Sequence, residues 1–398
     1  MITLACWIIA LAIAIPLGMF VLECVASLFY KEPEVSIDKA SINKDSETEI
    51  PCAVLIPAHN EEAVLLNTLQ ALKPQLGAQD QIVVVADNCN DQTAAIAIQA
   101  GCTVLERFDD SQRGKGFALA HGIDYLREDP PSVVIIVDAD CEAQPGSIEL
   151  LKHAAVQYER TVQSSYLLKA PSDAALPIKV SEFAVLVKNE VRAKGASRLG
   201  MAIPLLGSGM AFPWADIADI SIASGEIVED MKLGIELAAE EKGALFLNQA
   251  RVVSKLPATK EALASQRERW EHGHMGMIQK FSQPLLNAAW SKKSLPIFAF
   301  WLDLVIPPLS LLLILSVAVV IGFTLLGLFI DLAGASQLIA QMVLAVIVTV
   351  LVIWATIGRK ILAPSELMAL PMYALSKLGI YSGFFNKKQT EWKRTDRE

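Results

Sequence analysis

The sequence has no excess of positive charge. Its 398 residues carry 34 Lys and Arg against 43 Asp and Glu, a formal net charge of −9. Phosphate backbones are bound by clustered basic surface, so a nucleic-acid partner is excluded and small molecules and a membrane are left. Paired cysteines are also lacking. The six present (Cys6, Cys24, Cys52, Cys89, Cys102 and Cys141) are irregularly spaced with no CxxC, which excludes a disulfide framework and reads as reduced, buried thiols of a cytosolic compartment. No internal repeat or low-complexity tract is visible. Charge is absent from three long stretches, Met1 to Leu22, Leu304 to Ile330 and Leu338 to Ile357.

These apolar runs dominate the composition. With 53% hydrophobic residues the chain is too apolar for an ordinary soluble enzyme. At about 1.5 Å per helical residue, Met1 to Leu22 can cross a hydrocarbon core of roughly 30 Å. A cleaved signal peptide would carry basic residues ahead of its apolar core, and none precede this run, so a retained anchor is expected over 1–30. A polar linker follows over 31–49. The two later runs, joined by the turn Asp331 to Ser336, read as a transmembrane hairpin over 295–358. Its basic flanks, Lys292 and Lys293 before it and Arg359 and Lys360 after it, lie on one side of the bilayer. The positive-inside rule makes that side cytoplasmic, giving a multi-pass protein of the cell inner (cytoplasmic) membrane whose middle region, 50–290, is cytoplasmic. The stretch Ala363 to Phe385 contains Glu366, Pro371 and Lys377 and precedes a basic tail. Over 361–398 we therefore expect an interfacial helix and a cytoplasmic tail rather than another crossing.

From Ile50 onward short apolar runs alternate with helical patterns. Strands are expected at Cys52 to Pro57, Gln81 to Asp87, Thr103 to Arg107 and Val133 to Asp138, with helices over Glu61 to Leu76, Asp91 to Ala100 and Lys115 to Arg127. This is an α/β pattern with a parallel, helix-covered sheet, in which ligands collect at the carboxyl ends of strands. Polar residues stand at those ends: His59 and Asn60, Asp87 and Asn88, Asp138 and Asp140. After Gly146 the pattern becomes mixed, with a strand at Thr161 to Leu168 and a helix over Ile178 to Lys194.

Asp138-Ala-Asp140 places two carboxylates on a turn at a strand end. Hard cations such as Mg²⁺ or Mn²⁺ take carboxylate oxygens and keep positions open for phosphate, although an aspartate at a strand end also serves as an ordinary turn residue. Asp87 opens onto the same crevice, and Asp91 reads as a helix cap. Arg113-Gly-Lys-Gly116 is a basic loop ahead of a helix, suited equally to an anion or to solvent. Glu229 and Asp230 open a helix, where acidic residues are favourable on their own account; in a sugar pocket one of them could act as a general base. Gln266, Arg269 and Trp270 share one face of a helix expected over Lys260 to Lys280, fit for phosphate and for stacking on a sugar ring. His272 and His274, two residues apart, do not share a helix face and are not expected to bind metal.

Taken in order, Pro57-Ala-His-Asn-Glu61, Val85-Ala-Asp87, Arg113-Gly-Lys-Gly116, Asp138-Ala-Asp140, Gly207-Ser-Gly209, Glu229-Asp230 and Gln266-Arg-Glu-Arg-Trp270 resemble the motif series of the inverting family 2 glycosyltransferases. The flanking apolar runs look like the membrane-integrated branch that includes cellulose, hyaluronan and poly-N-acetylglucosamine synthases, and Glu391 to Arg397 looks like the Trp-x-x-Thr-x-Arg ending of its bacterial members. The resemblance implies a GT-A fold, the Rossmann-like nucleotide-diphospho-sugar transferase domain, with flanking transmembrane helices. It implies that Ala58, Glu61, Asp87, Lys115, Asp138, Gln266 and Arg269 bind the donor, expected to be a UDP-sugar, and that Asp140 binds Mg²⁺ or Mn²⁺. Asp230 would be the catalytic base with Glu229 beside it, and Gly207, Ser208, Gly209 and Trp270 would meet a glycan or lipid acceptor. Two departures matter. Ala86 replaces the first of two aspartates common in the family, and about three spans are few for a polymer channel. A single transfer thus competes with processive synthesis or with a pore completed by a partner subunit for export. A non-catalytic membrane scaffold is the reading from another class.

Overall fold

The computed structural model describes residues 1–37 and 50–386. Most of the expected linker and the ending Glu391 to Arg397 lie outside the described residues. Eight strands form one sheet: β1 (Cys52–Ala58), β2 (Gln81–Asp87), β3 (Thr103–Arg107), β4 (Val133–Ile136), β5 (Cys141–Ala143), β6 (Val162–Lys169), β7 (Met210–Pro213) and β8 (Leu245–Lys255). Their spatial order is β3-β2-β1-β4-β7-β6-β8-β5. The first four pair in parallel, and β7 joins antiparallel to β4. The sheet is therefore a parallel half spliced to a mixed half, with the change falling just after the Asp138 turn.

Strand alternation explains both faces. Val54, Ile56, Val84 and Ile135 point to one side, where Leu65, Leu69, Leu72, Ile148 and Leu151 cover them. Ala53, Leu55, Val83, Val85 and Val134 point to the other, under Leu119, Ile123 and Leu126. Burial on both faces is what turns these strands into nearly continuous apolar runs.

The strand expected at Val133 to Asp138 ends at Ile136, and three helices depart further from the sequence reading. The helix expected from Glu61 is helical over Leu65–Leu72 and tightens into a 3₁₀ turn at Lys73–Gln75, where Pro74 cannot supply an amide. The helix expected over Ile178 to Lys194 is three pieces, Leu176–Leu186, a π-helical turn at Val187–Arg192, and Ala193–Arg198. The helix expected over Lys260 to Lys280 runs on as Lys260–Ser291, capped by the Thr259 hydroxyl, which accepts from the Ala262 amide at 3.2 Å.

Among the described residues, three helices are long and apolar enough to cross a membrane, within Ile2–Phe29, Leu309–Leu326 and Ala333–Thr356. The last two form the hairpin, and Leu295–Leu304 precedes it as a separate short helix. Residues 364–386 form three short helical pieces, and among the described residues none of them has the length of a span. Domain and membrane helices share one apolar junction, in which Val180, Phe183, Val187 and Val191 pack with Leu17, Phe20, Leu312 and Val346.

Candidate active site

The strand ends and the long helix enclose a cavity of about 490 Å³. Its floor is built at the carboxyl ends of β1, β2 and β4. Asn60 and Asn88 leave β1 and β2 in the left-handed region, at φ 55° and 51°, which asparagine tolerates better than most residues. These kinks are locked locally: Asn60 Oδ1 accepts from the Asn90 amide at 2.8 Å, and Asn88 Oδ1 accepts from the Asp109 amide at 2.8 Å. The turn delivers Asp87 into the wall, where Arg107 Nη1 donates to its Oδ1 at 2.7 Å and a nitrogen of His59 lies 2.7 Å from its carbonyl.

At the end of β4 the two aspartates are held in different ways. Lys115 Nζ lies 2.6 Å from Asp138 Oδ1, 3.3 Å from Glu229 Oε1 and 2.7 Å from the Gly207 carbonyl. Ser254 Oγ donates to Asp140 Oδ2 at 2.6 Å. Burial draws the Lys115 ammonium down, but Asp138, Glu229 and Asp230 around it more than offset this and hold it above the ordinary lysine range. Burial pushes the carboxyls of Asp138, Glu229 and Asp230 up, and Lys115 opposes that in each case. One lysine is thus the hub of a three-carboxylate cluster.

The residues fit a hard divalent cation. Ligand atoms of Asp138, Asp140 and Cys141 lie within 4.8 Å of one another. Burial raises the Cys141 thiol well above its usual range, so it stays protonated, and the two carboxylates supply the oxygen donors that Mg²⁺ and Mn²⁺ prefer.

Asp230 faces the cavity from the start of Glu229–Ala239, with its own Oδ1 accepting from the Met231 amide at 2.8 Å. Gly207, at φ 96°, passes so close that a Cβ there would sit 3.1 Å from Asp230 Oδ2. Of the Gly207-Ser-Gly209 turn, only Gly207 lines the cavity. Ser208 is fully buried with its hydroxyl accepting from the Asp138 amide at 3.1 Å, and a Cβ on Gly209 would meet Ser164 Oγ at 1.9 Å. The turn therefore packs under Asp138 and Asp230, and Ser208 and Gly209 do not line the cavity.

Ala58, Glu61, Asp87, Lys115, Asp138, Asp140, Glu229, Asp230, Gln266, Arg269 and Trp270 all line this one cavity. Helical spacing sends Arg267 the other way, where its Nε donates to Ser181 Oγ at 2.8 Å and its guanidinium lies 4.8 Å over the Tyr373 ring. Gln266 Oε1 is buried and has no hydrogen-bond partner among the described residues. His272 and His274 bond through their rings to the carbonyls of Ile380 and Leu304. Sequence reading missed Arg107, Tyr166, Lys188, Asn189 and Ser254. Arg107 ends a strand and Ser254 lies in one, so spacing alone gave no signal; the run Lys188-Asn189-Glu190 inside an apolar helix was the one visible irregularity.

Fold and site together define the class: a GT-A nucleotide-diphospho-sugar transferase domain joined to membrane-crossing helices. The sequence model of the family described as "Glycosyltransferase like family 2" matches residues 51–273, and the chain belongs to that family. It is similar to glucomannan 4-beta-mannosyltransferase 2 of Arabidopsis thaliana, 25% identical over 312 residues that cover 71% of this chain and 57% of the relative. It is 34% identical over 112 residues to 4,4'-diaponeurosporenoate glycosyltransferase of Staphylococcus haemolyticus, covering 27% of this chain and 28% of that one. The chain thus spans less than two thirds of these curated relatives. Among solved structures, a mannosyltransferase of Pyrobaculum calidifontis in complex with GDP-Man and Mn²⁺ superposes with a TM-score of 0.54 at 16% identity, covering 95% of this chain and 100% of that one. That likeness is one of fold.

Proposed function

We propose that the chain transfers a sugar, with inversion, from a nucleoside diphospho-sugar to a hydroxyl or other nucleophilic oxygen of a membrane-associated glycan or lipid, at the cytoplasmic face of the cell inner membrane. The observation that carries this is the convergence of Asp138, Asp140, Glu229 and Asp230 with Lys115 in one cavity beside the membrane helices. A diphosphate needs a cationic end and an acceptor hydroxyl needs a base, and the cavity offers both.

Asp138 and Asp140 would hold Mg²⁺ or Mn²⁺, which when bound neutralises charge on a leaving diphosphate. Lys115, fixed by Asp138 and Glu229, keeps the acidic cluster together while the donor is absent. Asp230 takes the proton from the acceptor oxygen as that oxygen attacks the anomeric carbon and the carbon–diphosphate bond breaks. Glu229 is tied to Lys115 at 3.3 Å and is the weaker base candidate. Gln266 and Arg269 approach the diphosphate, and Trp270 offers a stacking face for the acceptor sugar. The mannosyltransferase relative and the GDP-Man-bound structure make GDP-mannose a candidate donor beside the expected UDP-sugars.

The test is the release of nucleoside diphosphate by the full-length protein in membranes, across a panel of GDP- and UDP-sugars. One donor is expected to turn over with Mn²⁺ and to stop in excess EDTA. Full turnover in EDTA would remove the cation from the account. Product length separates single transfer, which we favour for a chain with three candidate spans among its described residues, from processive synthesis.

A further inference from the structure

The π-helical turn at Val187–Arg192 is a feature that neither the motifs nor the proposed chemistry uses. Such turns insert one extra residue per turn and recur at functional sites because they redirect a side chain. Here each polar member has a separate destination. Asn189 Nδ2 donates to the Tyr166 carbonyl of β6 at 3.0 Å. Arg192 Nε donates to Glu23 of the first membrane helix at 2.6 Å, and its Nη2 pairs with Asp303. Val187 and Val191 pack into the junction with Leu17 and Phe20. Lys188 lines the cavity together with Asp230 and Trp270, and its ammonium makes no hydrogen bond or ion pair with any described residue.

The charges around Lys188 differ from those around Asp138. Charges that act strongly on Asp138 are Lys115, Asp140 and Glu229, whereas those that act on Lys188 are Asp230, Arg192, Asp303 and Glu271. Lys188 thus stands near Asp230, on the segment whose Val187, Val191 and Arg192 pack against the first apolar helix. The Lys188 side chain is exposed within the cavity, and the protein packed around it holds its ammonium below the ordinary lysine range, so water rather than a protein group solvates the cation there. A cation kept without a protein partner beside the base and next to the membrane helices is set for an anion that arrives with substrate. The apolar side chains of Val185, Val228 and Met231 on the same cavity wall suit an attached hydrocarbon.

We infer that Lys188 is an acceptor-binding residue that pairs with an oxyanion, a phosphate or carboxylate, on an amphiphilic lipid acceptor, and holds it beside Asp230. This rests on the glycosyltransferase reading and names the acceptor's chemical class. Charge-assisted pairing of an ammonium with an oxyanion is strong and tolerates Arg in place of Lys better than a neutral residue.

The experiment uses the full-length protein in a neutral detergent, with dodecyl phosphate, dodecanoate, dodecanol and inorganic phosphate as probes and Mn²⁺–nucleoside diphosphate as a separate ligand. Wild type is expected to bind dodecyl phosphate or dodecanoate more tightly than dodecanol or inorganic phosphate. Lys188→Met is expected to lose about tenfold in that affinity and Lys188→Arg to recover most of it, as removal of one charge-assisted bond predicts. Nucleotide affinity and melting temperature should stay close to wild type in both variants. Equal binding of the amphiphilic anions by wild type and Lys188→Met overturns the inference. So does a parallel loss of nucleotide affinity, which would assign Lys188 to the diphosphate, or a melting temperature lowered in Lys188→Met with probe affinity intact, which would make it a counter-charge for Asp230, Asp303 and Glu271. Failure of wild type to bind any Mn²⁺–nucleotide would instead strike the proposed function itself.

Discussion

The two ends of the cavity differ in how far the protein satisfies its own charges. At the donor end Asp87 is paired with Arg107, Asp138 with Lys115 and Asp140 with Ser254. At the proposed acceptor end the Lys188 ammonium makes no hydrogen bond or ion pair with any described residue. A site whose dipoles are fixed beforehand needs little reorganisation when charge develops on a leaving group. In the proposed function the donor end is preorganised in that sense, and the acceptor end would be completed by the acceptor's own anion.

The difference can be broken most severely at the residue between the ends. Asp230→Asn should lower transfer by about 10³-fold, the range of a lost general base, while nucleotide affinity stays within a few fold. Initial rates set beside calorimetric binding separate the two, and a variant that still turns over would move the base elsewhere. Next in size is the donor end's own support. Arg107→Ala leaves Asp87 buried and unpaired, which should cost about 3 kcal/mol of stability, read from the denaturant midpoint. An unchanged midpoint would mean that water, not Arg107, carries Asp87.

The acceptor-side helix supplies a pH test. Burial, with Lys188 and Arg192 nearby, lowers His274 to about 4. Between that value and the ordinary histidine pKa near 6.5 the unfolded chain binds a proton that the native state does not, so stability is fully present above about 6.5 and falls on acidification. The slope from this residue is roughly 1.4 kcal/mol per pH unit, and His274→Gln should flatten the urea midpoint across that window. The smallest effect is expected at Ser254→Ala, which removes one hydrogen bond from Asp140 and should cost about 1 kcal/mol, seen as a few-fold weaker Mn²⁺-dependent nucleotide affinity.

The donor half was largely legible in the sequence because its elements repeat one pattern. The strands expected at Gln81 to Asp87 and Thr103 to Arg107 are present with those bounds, and the helix opening at Lys115 begins there. Apolar runs buried on both faces and polar residues at their ends make such a half readable. Asp91, expected as the cap, instead stands one residue before the N-cap Gln92, its Oδ1 accepting from the Thr93 amide at 2.9 Å in a turn that leads into the helix. The acceptor half was less legible for two physical reasons. A π turn keeps helical composition while rotating the residues after it, so no periodicity marks Lys188. The Gly207-Ser-Gly209 motif pointed to a ligand contact, yet the glycines serve a tight packing of backbone against Ser164 and Asp230, a relation between segments far apart in the chain. Arg107 and Ser254 gained their roles in the same way, through tertiary contact with Asp87 and Asp140.

The claim that joins both ends is a single displacement, with the diphosphate leaving on one face of the sugar and the Asp230-activated oxygen arriving on the other. The anomeric configuration of the first product, followed by NMR from the onset of turnover with the accepted donor, tests it directly. The account predicts the configuration opposite to the donor's. Retention of the donor's configuration would contradict it.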